Sequence, residues 1–143
     1  MTPALPAVVS DIMTSDVLTV EEDDNLLNML RAMHTLRFRH TPVTDEGRLV
    51  GLLTERDVLA FSASTLLPNR AQSDQLLGER FHIRDVMKRD VKAVAPATSI
   101  KEAVSLMLQE RIGCLPVVDA DNRVVGIVTS TDLHKLLYKL LPG

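Results

Sequence analysis

One ordered set of landmarks occurs twice in this chain, and that repetition limits what it can fold into. Asp11-Ile12-Met13 returns as Asp85-Val86-Met87, 74 positions later. The same offset relates Val17 to Val91, Val20 to Val94, Met33 to Met107, Arg37 to Arg111, and Pro42-Val43 to Pro116-Val117. One extra residue then raises the offset to 75, which relates Gly51 to Gly126, Thr54 to Thr129 and Asp57 to Asp132. A single-residue insertion of this kind is cheapest in a loop. The chain is therefore a tandem repeat of two similar supersecondary units. Its 143 residues, 45% hydrophobic, suit one compact domain or two small repeats, and one unit alone would be marginal.

Each repeat reads alike. Val17 to Val20 and Val91 to Val94 are expected as short extended segments. Leu26, Leu27, Leu30 and Met33 fall at helical spacing, as do Ile100, Ala103, Val104, Met107 and Leu108. Ser99 with Glu102 forms a capping box ahead of the second of these helices. Thr41 to Thr44 and Leu115 to Val118 favour strands, with Pro42 and Pro116 marking strand starts or an edge. The Asp45 to Arg48 and Asp119 to Arg123 stretches are hairpin turns by composition. Returning strands follow over Leu49 to Thr54 and Val124 to Thr129, then helices over Glu55 to about Ala63 and Thr131 to Leu141. The expectation is an α/β (α+β) fold of two β-α-β-β-α repeats, related by a pseudo-twofold axis and packed through their sheets. The boundaries expected are an N-terminal arm over 1–10, repeat 1 over 11–64, a partly helical linker over 65–84 and repeat 2 over 85–143.

The most informative stretch in each repeat is Gly51-Leu52-Leu53-Thr54-Glu55-Arg56-Asp57 and Gly126-Ile127-Val128-Thr129-Ser130-Thr131-Asp132. A buried strand that ends in Thr and feeds a helix has this form. The helix N-terminus offers unpaired N–H groups and partial positive charge, a seat for phosphate. The aspartate, three residues on, is an acceptor that could take both hydroxyls of a ribose. The same Thr-x-x-Asp pattern is also a capping arrangement, close to the Ser/Thr-x-x-Glu box, and as such needs no ligand.

Composition narrows the function classes. A net charge of −3 and a pI near 5.8 argue against a nucleic-acid module. Cys114 stands alone, which excludes an internal disulfide, fits a reducing compartment, and suits a small buried hydrophobe better than a nucleophile. His34, His40, His82 and His134 lack metal-ligand spacing, so no metal site is expected. No positive n-region precedes an apolar h-region near Met1, and no apolar run reaches membrane-spanning length, so a cytoplasmic protein is expected. The Glu21 to Asp24 run suits a solvated helix N-terminus. No nucleophile–base pair, metal cluster or Walker-type glycine loop is visible, so an enzyme is not expected.

Taken in order and twice over, the D-h-M openings, the Pro-Val strand starts, the turns and the two G-h-h-T-x-x-D stretches resemble a tandem pair of CBS domains, a Bateman module. The resemblance covers Asp11 to about Leu141. It implies a non-catalytic regulatory fold that binds AMP, ADP or ATP, with S-adenosylmethionine behind them, in clefts between the repeats, and needs no other cofactor. It also implies homodimers and an effector protein that these residues do not identify. Thr54 with Asp57, and Thr129 with Asp132, would hold phosphate and ribose. Thr19, Val20, Arg39, His40 and Thr41, and Ala93, Val94, Gly113, Cys114 and Leu115, would hold adenine. In resembling proteins each cleft often joins the T-x-x-D of one repeat to the pre-proline segment of the other. Arg56 adds a phosphate-binding fork beside Thr54, whereas its counterpart Thr131 is neutral and short. A different class stays open: a structural module with empty clefts, in which the T-x-x-D stretches only cap helices.

Overall fold

The computed structural model describes residues 5–29, 40–63 and 80–143. They form two compact units. One is contiguous, Leu18–Val91, and is called here the Asp57 unit; the other joins Met1–Val17 to Lys92–Gly143 and is called the Asp132 unit.

The Asp57 unit contains β1 (Val20–Glu21), β2 (His40–Asp45), β3 (Arg48–Thr54) and α1 (Glu55–Ala63). β1 runs parallel to β2, and β2 pairs antiparallel with β3. The hairpin turn needs two left-handed residues, Glu46 at φ 52° and Gly47 at φ 85°, the geometry that Gly accepts without steric cost. Residues 26–29 are helical, as their spacing predicts. Leu30, Met33, Arg37, Arg39 and most of the expected linker lie outside the described residues. Leu26, Met29, Val43, Leu53, Val58, Ile83 and Met87 make the core, and Phe61 meets Phe81 edge-on at 5.0 Å.

The Asp132 unit contains α2 (Ile100–Glu110), β4 (Cys114–Val118), β5 (Val124–Thr129) and α3 (Ser130–Leu140). Ser99 caps α2 by accepting from the Glu102 N–H at 3.0 Å, and Arg111 closes it in the left-handed region at φ 55°. The expected extended segment ending at Val94 shrinks to a single parallel bridge, Val94 to Val117. A turn cuts it short: the Ala95 N–H donates to Thr98 Oγ1 and the Thr98 N–H to the Ala95 carbonyl, both at 3.0 Å. Val9, Val94, Ala103, Met107, Leu115, Val117 and Val128 fill the core.

Val9 stands two residues ahead of the Asp11 opening of repeat 1, yet it is fully buried among residues of repeat 2. Ile83, at the matching place two residues ahead of the Asp85 opening of repeat 2, is fully buried, largely among residues of repeat 1. The opening segments are therefore exchanged, and neither compact unit coincides with a repeat of the sequence. Each exchanged segment starts with a short 3-10 turn, Val9–Asp11 or Ile83–Asp85. Asp11 accepts from the Ala7 and Val8 N–H groups, and the Val8 bond foremost holds its carboxyl below the usual aspartate range. Beyond the turn, Lys88 exchanges two 2.9 Å backbone bonds with Leu52, and Thr14 exchanges bonds of 2.9 and 3.0 Å with Ile127. Each hairpin is thereby paired on its outer edge at one residue, Leu52 or Ile127.

The same row of residues crosses both units. Val20 pairs with Val43, Val43 with Gly51, and Met87 lies over that glycine. Val94 pairs with Val117, Val117 with Gly126, and Met13 lies over it. A Cβ on Gly51 would come within 2.8 Å of the Lys88 carbonyl, and one on Gly126 within 3.1 Å of the Thr14 carbonyl. The glycines of the repeated stretch leave room for the exchanged segment.

Candidate functional site

Both T-x-x-D stretches sit at a junction where a buried strand runs out and a helix begins. Thr54 closes β3 and Glu55 opens α1; Thr129 closes β5 and Ser130 opens α3. The buried strand residues Leu53 and Val128 anchor each junction, while Glu55, Arg56, Ser130 and Thr131 are exposed on the first helical turn.

Threonine and aspartate bind each other in both units. At the first junction the Asp57 N–H donates to Thr54 Oγ1 at 3.1 Å, and that hydroxyl donates to Asp57 Oδ2 at 2.7 Å. At the second, the Thr129 N–H and hydroxyl both donate to Asp132 Oδ2, at 2.9 and 3.2 Å. The Asp132 N–H returns a long bond of 3.4 Å to Thr129 Oγ1. The capping arrangement is thus formed twice, and it occupies one carboxylate oxygen, Oδ2, in each unit.

The other oxygen, Oδ1, is met by the exchanged segment. Lys88 Nζ lies 3.8 Å from Asp57 Oδ1, and Thr14 Oγ1 donates to Asp132 Oδ1 at 3.2 Å. Thr14 and Lys88 stand 74 positions apart, directly after Met13 and Met87, so they hold the same place in the repeat. Sequence reasoning missed both. The repeat offset already aligned them with each other, but nothing in the chain order tied them to the T-x-x-D of the opposite repeat.

The remaining sequence candidates divide. His40 pairs directly with Thr54, and Cys114 with Thr129, so each pre-proline strand start adjoins the T-x-x-D of its own repeat. The Gly113 carbonyl accepts from both the Ser130 N–H at 2.9 Å and the Ser130 hydroxyl at 3.3 Å. Thr41, Cys114 and Leu115 are buried, at 1%, 3% and 0% exposure, so their side chains are packed inside their units. Val20 and Val94 lie farther along the strands, opposite Val43 and Val117. Ala93 and Val94 line a hollow of about 440 Å³ with Glu102, Ser105 and Gln109 of α2, to which none of Thr129 to Asp132 contributes. Arg39 lies outside the described residues.

One internal asymmetry is chemical. Thr41 and Leu115 precede the matching prolines, and the Thr41 hydroxyl is buried without a hydrogen-bond partner among the described residues. A second asymmetry is charge. Lys88 pairs with Asp57 and Arg56 precedes it in sequence, whereas the hydroxyls of Thr14 and Thr129 meet Asp132 and Thr131 replaces the arginine. Among the described residues Asp132 forms no ion pair.

Comparison with known proteins gives this geometry a context. The family profile of the CBS domain matches residues 9–64 and 83–139. Protein MJ1225 of Methanocaldococcus jannaschii is 33% identical over 129 residues, 90% of this chain and 46% of that one. This chain therefore spans about half the length of that relative; the solved MJ1225 structure superposes with a TM-score of 0.77. The CBS domain pair of protein MJ0100, solved with 5′-methylthioadenosine and S-adenosyl-L-methionine, is 26% identical at a TM-score of 0.74, over 91% of this chain and 98% of that one. CBSX2, solved in complex with AMP, is 25% identical at 0.76, over 93% and 97%.

Proposed function

This chain belongs to the CBS domain family, as a tandem pair, and from that premise we propose that it is a non-catalytic regulatory module that binds an adenosine-containing ligand at its T-x-x-D junctions. AMP, ADP and ATP are the foremost candidates, followed by S-adenosylmethionine. The observation that carries the reading is the repeated junction itself. In both units a threonine and an aspartate are locked together at the first turn of a helix, and Oδ1 meets an exposed residue of the exchanged segment. A ribose could take that oxygen while the helix N–H groups receive phosphate. The likeness to CBS pairs solved with AMP and with methylthioadenosine supports the ligand class.

Output passes through self-association or to an effector protein in the cytoplasm. α3 leaves Leu137, Tyr138 and Leu140 exposed, and such apolar surface suits a homodimer contact. Ligand state can reach that output only if the ligand binds two conformations with different affinity.

The test is calorimetric titration of the protein with AMP, ADP, ATP and S-adenosylmethionine, beside Asp57→Ala and Asp132→Ala. Saturable binding that one substitution removes is expected and assigns ligand and junction together. If none of the four binds, and each substitution only lowers stability by about 0.5–2 kcal/mol as a lost cap does, the capping bonds are the whole role of these residues. The chain is then an assembly module.

A further inference from the structure

We propose that the residue following each D-h-M opening sets the ligand charge accepted at the opposite junction, so that Lys88 makes the Asp57 junction selective for a phosphate-bearing nucleotide while Thr14 leaves the Asp132 junction to an adenosyl ligand with an uncharged 5′ substituent. The inference rests on the adenosine-binding reading above and adds to it the division of ligands between the two units.

The backbone of Lys88 is fixed by its paired bonds to Leu52, but its side chain is 59% exposed and its ion pair with Asp57 is long, at 3.8 Å. A long pair whose lysine is solvated is weak even though Asp57 itself is half-buried, so the ammonium can leave the carboxylate at little cost. A ribose that engages Asp57 takes over the acceptor that Lys88 held. A 5′-phosphate then offers the freed ammonium a stronger, charge-assisted partner, flanked by Arg56 on the first turn of α1. Thr14 occupies the same backbone position against Ile127 and contacts the same carboxylate oxygen, but it is short and neutral. Among the described residues no cation pairs with Asp132 to be released to a phosphate there, and the carboxylate of Asp132 disfavours an incoming anion.

The experiment measures AMP and adenosine affinities by calorimetry on the full chain, with each junction read in a background that disables the other. In Asp132→Ala protein, Lys88→Thr is expected to weaken AMP about tenfold while adenosine changes less than twofold, the loss of one charge-assisted contact. Lys88→Arg retains the AMP preference. In Asp57→Ala protein, Thr14→Lys is expected to tighten AMP about tenfold relative to adenosine. Added salt erodes the Lys88-dependent part of AMP binding. Both substitutions are at exposed positions, and thermal unfolding of each variant controls for folding. An AMP-to-adenosine ratio unmoved by Lys88→Thr overturns the proposal yet leaves adenosine binding standing, as does binding confined to the Asp132 junction. If neither ligand binds the unsubstituted protein, the ligand reading itself fails and this division with it.

Discussion

The Asp57 and Asp132 junctions share a backbone and differ in chemistry. Both have a strand-ending threonine, a capping aspartate, a glycine under a methionine, and an exchanged segment that pairs with the returning strand. They differ where side chains meet: Arg56 against Thr131, Lys88 against Thr14, and Thr41 against Leu115. The common parts satisfy backbone groups and fill space, demands that any such unit must meet. The differing parts carry charge and polarity, which the frame tolerates and a ligand would sense. The pair is best regarded as one scaffold presenting two electrostatic faces.

Substitutions that move one unit toward the other measure how far that equivalence extends. Leu115→Thr gives the Asp132 unit the pre-proline residue of its counterpart. Losing a fully buried leucine and gaining an unpartnered hydroxyl should cost about 3 kcal/mol in chemical denaturation. A cost near zero would mean that the two cores are interchangeable at this position.

The glycines sharpen the comparison. Gly51→Ala forces a Cβ toward a backbone carbonyl 2.8 Å away, and overpacking of this kind should cost about 2 kcal/mol. Gly126→Ala meets its carbonyl at 3.1 Å and should cost less, about 1 kcal/mol. Equal losses in urea melts would show that the exchanged segments sit equally close in solution. The smallest effect has the opposite sign. Thr41→Val removes the buried hydroxyl that lacks a partner and should stabilise the protein by about 1 kcal/mol. A loss of stability instead would show that the hydroxyl is hydrogen-bonded in solution.

Much of this was legible in the sequence because the repeat repeats the evidence. The hairpins follow from their turn residues and from Val, Leu and Ile runs, and the Ser99 cap from its spacing to Glu102; these are local effects. The Thr–Asp pairs were legible for the same reason, since three residues separate them. The exchange of opening segments was not legible. Val9 and Ile83 are apolar residues ahead of a D-h-M motif, and their pattern is satisfied by either repeat's core. Only packing decides which one takes them. Lys88 and Thr14 were missed with them, because their contacts inherit that choice. The acidic run by composition suits a solvated helix N-terminus, yet Glu21 accepts from the Thr44 hydroxyl at 3.0 Å and the Glu46 N–H at 3.2 Å, fastening β1 to the hairpin. Sequence periodicity does not carry such a cross-strand contact.

The exchange also gives the two units different histories on the ribosome. The Asp57 unit is one continuous stretch, so every part of it has been made once Val91 has emerged. The Asp132 unit has to wait, because Thr14 meets its carboxylate partner 118 residues later. At cellular synthesis speeds that interval is on the order of ten seconds. Throughout it, the apolar Val9 segment has been synthesised while the β5 residue Val128 that helps to bury it has not.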